Sequence, residues 1–353
     1  MTEPEPTRRG ADEQAPRAAN IFDVARLAGV SHQTVSRVIN DLPNVRDATR
    51  ARVQQAIAQL NYSPSPAARA LVTRRTRTIG LIVPDTSDYG PASIMMHFNV
   101  AARAARYSVE TVALLDPDPS GVRAVVEALL RQRVDVVVLI VDDVAVLEVI
   151  RGLEIGVPFV AVAASARRGP SIVSIDQYRG ARSAVRHLVE LGHRRILHVA
   201  GPPSATDAIE RIRGWRDELA ANRLELVEPA FGDWTAASGY DIGRALDLAG
   251  ATAVFVSNDH MSIGLMSALR ERGLSVPDDV SVVGFDDLPE APYLFPPLTT
   301  VRQDFAALGS LMMQKVLLAV EEPDSAAEST PLPTTLVVRA STGAPRGDAS
   351  TPS

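Results

Sequence analysis

The chain contains no cysteine. That excludes disulfide frameworks, thiolate zinc sites, cysteine nucleophiles and cysteine-ligated iron–sulfur clusters. No apolar run approaches the ~18–20 residues needed to cross a bilayer. The first twenty residues are rich in Pro, Glu and Arg and lack the apolar centre of a secretory signal. A soluble cytoplasmic protein without membrane contact is expected. Phosphate-cradling G-x-G-x-x-G and G-x-x-x-x-G-K-[ST] loops are missing, as are G-x-S-x-G and H-E-x-x-H. The six histidines (His32, His97, His187, His193, His198 and His260) show no ligand spacing. Neither metal nor cofactor is expected. Lysine is nearly absent: Lys315 stands alone among 36 basic residues, a bias that fits genome base composition better than chemistry.

What is present is an ordinary globular balance of 46% hydrophobic and 22% charged residues over 353 positions. At roughly 100–200 residues per domain, this length suggests two or three domains. Net charge is −6, but it is unevenly spread. Residues 20–77 carry nine Arg against three Asp (Asp23, Asp41, Asp47), a net of +6, so the rest sums to −12. A small basic module on an acidic body can engage nucleic acid even though the whole chain is acidic.

Residues 1–19 and 343–353 have no apolar periodicity and read as disordered tails. Residues 20–62 read as short helices and 63–77 as a linker. From residue 78 to 342, apolar runs (79–83, 109–115, 134–141, 159–162, 172–175, 196–199, 253–256 and 280–284) alternate with amphipathic stretches such as 121–131, 180–191, 208–220, 237–248 and 262–272. Apolar strands separated by helices imply parallel sheets covered on both faces. So many units exceed one doubly wound sheet. Two α/β lobes are expected, one over about 78–175 and 303–330, the other over about 176–302 and 331–342.

Within the basic module, Val24, Ala25, Leu27 and Ala28 form one apolar helix face, and Gly29 can take positive φ to end that helix. Ser31 suits the N-cap of the next helix, in which Val35, Val38 and Ile39 face inward and His32, Gln33, Ser36, Arg37 and Asn40 outward. A third helix, 47–60, buries Val53, Ile57 and Leu60. Helix, Gly-containing turn, then a helix with polar N-terminal residues is a helix-turn-helix, whose second helix meets base edges in the major groove. Gln can pair with adenine and Arg with guanine. The plainer alternative is a three-helix bundle with a solvated face.

At these residues the chain resembles the lactose-repressor (LacI/GalR-type) family of bacterial transcription regulators. The likeness runs through Asp23-Val24-Ala25, Gly29-Val30-Ser31 and Thr34-Val35-Ser36-Arg37-Val38-Ile39-Asn40, then Val45, Thr49-Arg50 and Val53, and continues to about residue 340. It implies DNA contacts by Ser31, His32, Gln33, Thr34, Ser36, Arg37 and Asn40, with His32, Gln33 and Arg37 reading bases. Arg46 departs from the family's helix-capping Ser, and Asp47 is the alternative cap. The stretch Tyr62-Ser63-Pro64-Ser65-Pro66-Ala67-Ala68-Arg69-Ala70-Leu71 is similar to the family's hinge helix. Ser65 can be its N-cap and Pro66 its first residue. So short a helix is marginal alone, so it should order only on DNA. The resemblance places Ala68 and Arg69 at the DNA and makes Leu71 a minor-groove wedge; a linker leucine packed on the body is the alternative.

The body is similar to that family's effector-binding core, a periplasmic-sugar-receptor-like fold of two doubly wound lobes. Gly192-His193-Arg194-Arg195-Ile196, Ser257-Asn258-Asp259, residues 276–287 and Pro297-Leu298-Thr299-Thr300-Val301 carry the likeness. It implies an effector site in which Arg211, Asn258 and Asp286 bind hydroxyls and Trp234 stacks on a sugar ring, as in galactoside-responsive members. Gln303, Asp304 and Phe305 match the crossover lining the cleft, Ile94 an apolar wall, and Asp176 a retained carboxylate. Ala163 stands where an Asp is common, Arg106 where a Gly is common and Asn99 where an acid is common. The bland readings are a surface ion pair for Arg211, core for Trp234, a solvated or helix-capping role for Asp287, a loop for Asp142-Asp143 and a structural role for His193. His260 could reach the cleft.

The resulting expectation is a sequence-specific, non-enzymatic regulator, most simply a repressor. It would bind a palindromic double-stranded DNA operator as a homodimer and be released by a small carbohydrate. A cytoplasmic sugar-binding α/β enzyme, and a family member with a non-sugar or co-repressing ligand, are the alternatives. No leucine heptads follow Pro345, so a tetramerising coiled coil is not expected.

Overall fold

The computed structural model describes residues 19–39, 42–62, 75–84, 88–115, 118–140, 143–153, 155–163, 172–322 and 329–346. The chain divides into two units, Met1–Thr76 and Arg77–Ser353.

The first unit begins with a reciprocal cap. The Asn20 side chain accepts from the Phe22 and Asp23 N–H groups, and the Asp23 carboxylate accepts from the Asn20 N–H at 3.0 Å. This satisfies orphan donors at the start of α1 (Ile21–Ala28). Gly29 ends α1 at φ 64°, a left-handed conformation that costs glycine little. Ser31 precedes α2 (His32–Ile39), and its Oγ accepts from the Thr34 N–H at 3.2 Å. In α3 (Asp47–Gln59), Asp47 lies in the first turn and Arg46 occupies the cap position without a side-chain bond, so Asp47 does not replace the capping Ser. Val24, Ala25, Ala28, Val35, Val38, Val53 and Ala56 form the core, with Ile57 and Leu60 packed at its edge. Leu27 corrects the apolar-face reading: it is 46% exposed.

The second unit holds two sheets. In lobe 1, β1 (Thr78–Pro84) pairs in parallel with β2 (Ser108–Leu114) and β3 (Val136–Ile140), followed by β4 (Phe159–Val162) and β5 (Ile172–Val173), in the order β2-β1-β3-β4-β5. Helices α4 (Tyr89–Ala104), α5 (Pro119–Arg131) and α6 (Val144–Arg151) connect the strands. In lobe 2 the connecting helices are α7 (Gln177–Glu190), α8 (Thr206–Ala221), α9 (Ala236–Ala245) and α10 (Asp259–Glu271). Its strands are β6 (Ile196–Ala200), β7 (Ala230–Phe231), β8 (Ala253–Val256), β9 (Ser281–Asp286), β10 (Thr299–Arg302) and β11 (Thr335–Val337), ordered β11-β10-β9-β8-β6-β7. The edge strand β11 runs antiparallel to β10, so this sheet is not wholly parallel. The central strands β3, β6, β8 and β9 are buried throughout, as strands covered on both faces must be.

The chain passes between lobes at 174–177, 302–305 and near 332. Helix α11 (Phe305–Glu321) returns to lobe 1, where Leu308, Met312 and Val316 join the core of β1, β3 and α4. Ile175 bridges Leu332, and the Asp176 N–H donates to the Leu332 carbonyl at 2.8 Å. The tail expectation begins too early: residues 343–346 are docked. Gly343 pairs with Ser281 and His193, and Arg346 with Asp278 and Asp279. Arg106, where a glycine is common in the family, adopts φ 61° after α4. The Asn99 amide donates to the Met95 carbonyl at 2.9 Å.

Candidate functional site

In the first unit, α2 turns Val35 and Val38 inward. His32, Gln33 and Arg37 are exposed beside Ser31, with Thr34 and Ser36 half-buried. Ser31 and Thr34 hydroxyls bond each other at 3.0 Å, and the exposed Phe22 ring lies 5.2 Å from His32. One short helix thus presents a contiguous row of hydrogen-bonding side chains. Asn40, Ala68, Arg69 and Leu71, with the hinge segment 63–74, lie outside the described residues.

In the second unit a cavity opens between the lobes at the carboxyl ends of the strands, the place where open α/β sheets bind ligands. It encloses about 720 Å³ including its open mouth. Its centre is Arg211, carried by α8 and buried. Arg211 Nε donates to Gln177 Oε1 at 3.0 Å, and Nη1 donates to the Ser257 carbonyl. Nη2 lies 3.6 Å from Asp207 and 3.7 Å from Asp286. Its plane covers the Phe285 ring at 3.9 Å. Gln177 Nε2 donates to Gln303 Oε1 at 2.8 Å, and Gln303 Nε2 to Asp286 Oδ1 at 2.7 Å. Arg211, Gln177, Gln303 and Asp286 therefore form a closed polar ring. Two of its members, Gln177 and Gln303, sit where the chain crosses between lobes.

Burial raises the Asp286 carboxyl to about 6 against the pull of Arg211 and Gln303. Burial likewise raises Asp207, opposed by Arg211. Behind the ring, Asp259 accepts from Thr300 Oγ1 at 2.6 Å and the Leu288 N–H at 2.9 Å, and burial holds it well above the ordinary range. Asn258 caps α10 through the Met261 N–H, and its amide donates to the Trp234 carbonyl at 2.9 Å. Trp234 is half-buried at φ 75°. Its indole lies so close over Gly201 that a Cβ there would stand 2.2 Å from the ring.

The cavity gathers Ile94, Arg211, Trp234, Asn258, Asp286, Gln303 and Phe305 from the sequence reading. Asp176 and His260 do not line it. The Asp176 carboxylate instead caps α7, accepting from the Arg179 N–H at 2.9 Å. Its neighbour Gln177 enters the cavity, as do Asp88, Tyr89 and Asp207, which the sequence reading did not single out. The signal for Gln177 lay one residue away, at the strand-to-helix junction. The surface-ion-pair alternative for Arg211 fails on its 3% exposure. Asp287 is neither solvated nor a helix cap: it is buried between Arg302 and Arg339, each at 2.6 Å. Asp143 caps α6 and forms an isolated backbone bridge with Ala205 of lobe 2; Asp142 lies outside the described residues. His193 is structural, bonded to Thr252, Ser281 and the Gly343 carbonyl. Burial among Trp215 and Phe255 lowers His198 to about 3. Among the described residues, no helix is long and apolar enough to cross a membrane.

A helix-turn-helix head and a two-lobed α/β body with an interlobe cavity together define a DNA-binding regulator carrying a sensing core. Residues 20–65 match the model of the bacterial regulatory proteins of the lacI family, and residues 185–342 match a periplasmic binding protein-like domain. The chain is 34% identical to the lactose operon repressor of Escherichia coli (strain K12), over 95% of this chain and 94% of that protein. It is 36% identical to the transcriptional regulator CelR of Thermobifida fusca, over 90% and 96% respectively. Among solved structures, it superposes on the lac repressor dimer bound to operator and the anti-inducer ONPF with a TM-score of 0.80 at 33% identity, covering 93% of this chain and 100% of that one. A CelR–cellobiose complex superposes with a TM-score of 0.68 at 32% identity, covering 92% and 99%. The chain belongs to the LacI family of transcriptional regulators, a family of DNA-binding proteins rather than enzymes.

Proposed function

We propose that this regulator is a repressor that grips a palindromic operator as a dimer and lets go when a small carbohydrate fills the interlobe cavity. Ser31, His32, Gln33, Thr34, Ser36, Arg37 and Asn40 meet the major groove, and arginines supply salt-dependent phosphate contacts. Ala68, Arg69 and Leu71 belong to a hinge helix that orders on DNA, with Leu71 as the wedge. The observation that carries the reading is the polar ring. Ligand hydroxyls that engage Arg211, Asp286 or Asn258 bear on Gln177 and Gln303, which sit on the lobe crossings. A ligand there binds two lobe arrangements unequally, as any effector must.

Pairing of two copies is supported by apolar side chains left bare on both lobes. Met96 and Val100 on α4 are 56% and 64% exposed, and Tyr293 and Phe295 are 87% and 98% exposed. Similar proteins are described as a dimer on operator DNA and as a cellobiose complex. A gel shift on a palindromic site from the gene's own promoter region, repeated across a panel of sugars, tests the proposal. The expected result is retardation of that duplex over random DNA, reversed by at least one sugar. Equal retardation of every duplex, with or without sugar, overturns it.

A further inference from the structure

We propose that Asp287, gripped by Arg302 and Arg339, is a positioning residue of the effector site: it holds the backbone that aims the Asp286 carboxyl into the cavity and ties that aim to the lobe crossing. This rests on the reading above that an effector meets Asp286, and adds what keeps that group in place.

Strand β9 ends in an uncommon backbone. Asp286 has φ 110° and Asp287 φ 57°. Among the described residues, no other two successive non-glycine residues both have positive φ. Aspartate tolerates the left-handed helical region better than most side chains, but Asp286 lies beyond it. Such a conformation persists only where its surroundings over-determine it. Here the two carboxyls part: Asp286 lines the cavity and Asp287 does not.

The contacts that fix this backbone converge on Asp287. Its Oδ2 accepts from Arg302 Nε and its Oδ1 from Arg339 Nη2, each at 2.6 Å, and its N–H donates to Thr300 Oγ1 at 3.3 Å. Arg339 is itself anchored, through Nη1 to the Leu298 carbonyl at 2.7 Å and through its backbone N–H to Thr299 Oγ1 at 2.9 Å. Short charge-assisted bonds on both carboxyl oxygens are of the strong kind. Asp286 has less of its own: Oδ1 accepts from Gln303 at 2.7 Å, and Arg211 stands off at 3.7 Å. Its aim therefore depends on the residue that follows it.

The grip also reaches the crossing between lobes. Arg302 is the register partner of Asp286 in the parallel pair of β9 and β10, and Gln303 comes next. Arg302 holds Asp287 while Gln303 holds Asp286. A shift of the crossing pulls on both carboxylates at once, so Asp286 takes its binding position in one lobe arrangement and leaves it in another. The Arg302 side chain is 56% exposed, so its ion pair adds little to stability.

Release of a fluorescent operator duplex by glucose, galactose, lactose and cellobiose tests this on the full chain. For whichever sugar releases wild type, Arg302→Ala is expected to raise the half-release concentration at least fivefold. Its sugar-free affinity for the duplex should stay within twofold and its melting temperature within about 3 °C of wild type. Arg302→Lys, which keeps a charge for Asp287, should recover most of the loss. A smaller rise in folded Arg302→Ala overturns the inference and leaves the sugar response in place. A rise matched by weaker sugar-free binding or by a larger fall in melting temperature also overturns it, because the pair is then merely structural. Should no sugar release wild type, the release reading fails by itself, and a crystal structure of Arg302→Ala decides the positioning role. Loss of the bond from Gln303 to Asp286 is expected there, and an unmoved Asp286 overturns the inference. Asp287→Asn, which suits a left-handed backbone, replaces Arg302→Ala in each measurement if that variant does not fold.

Discussion

The head and the sensing core place their working side chains in opposite environments. On α2, His32, Gln33 and Arg37 stand in water over a core of seven small apolar residues. In the cavity, Arg211, Asn258, Asp286 and Gln303 are each at most 7% exposed; Arg211 and Gln303 both engage Asp286, while Asn258 donates to the Trp234 carbonyl and accepts from the Met261 N–H. The head therefore separates function from stability, because removing an exposed side chain leaves the packing beneath it intact. The core cannot, because each binding group is also a partner that keeps a buried neighbour satisfied.

The largest effect follows from that interdependence. Arg211→Ala strips the counter-charge from Asp207 and Asp286 and leaves Gln177 Oε1 and the Ser257 carbonyl without their donor. Breaking a buried pair in this way costs about 3 kcal/mol. Thermal melting should register the loss, and sugar should no longer release the variant from DNA at temperatures where it remains folded. A response to sugar that survives intact would move the effector site elsewhere.

Arg37→Ala is the opposite case. Its side chain is exposed, and surface changes stay within about 0.5 kcal/mol of stability. Discrimination between operator and random duplex should nonetheless fall by about 1–3 kcal/mol, the value of one bidentate base contact. Competition gel shifts at fixed salt measure it. Equal weakening on both duplexes would make Arg37 a phosphate contact instead of a reader, and an unstable variant would break the contrast with the core.

The same difference explains what could be read from the sequence. The turn of the head is local: Gly29, Ser31 and the spacing of Val35 and Val38 lie within ten residues, so its helices followed from capping and periodicity. Leu27 misled because its apolar character fits the face while the bundle is too small to cover it. The lobes were legible as alternating apolar runs, although β11 was not, since three edge residues of mixed exposure carry little pattern. The polar ring joins residues up to 126 positions apart, and no spacing rule links Gln177 to Gln303. Arg211, Asn258 and Asp286 were reached through family likeness. Asp176 was reached as a carboxylate retained in the family likeness, yet at a helix start its oxygen turns to the free N–H groups, and its neighbour Gln177 enters the cavity. Asp287 looked like a solvated acid because nothing local announces Arg339, 52 residues away.

The smallest effect isolates one buried acid. Asp286 is raised to about 6 in the folded chain from an ordinary 3.8, so the folded state takes up its proton first. Between those values the folded state binds more protons than the unfolded state, and this group's unfavourable burial is relieved as pH falls from 7 to 5. Its share over that interval is about 1 kcal/mol. Asp207 and Asp259 act in the same direction. The half-buried His187 and the buried His193 and His198, all lowered, act in the opposite one, because the unfolded chain protonates them first. The pH dependence of the whole protein therefore does not report Asp286, but the difference between wild type and Asp286→Asn does. Asparagine still accepts from Gln303 and carries no proton in this range. Going from pH 7 to pH 5, the stability of wild type relative to the variant should rise by about 1 kcal/mol, measured as paired denaturant midpoints. A difference that does not change with pH would mean that Asp286 keeps its ordinary acidity, and that the ring is wetter than its burial implies.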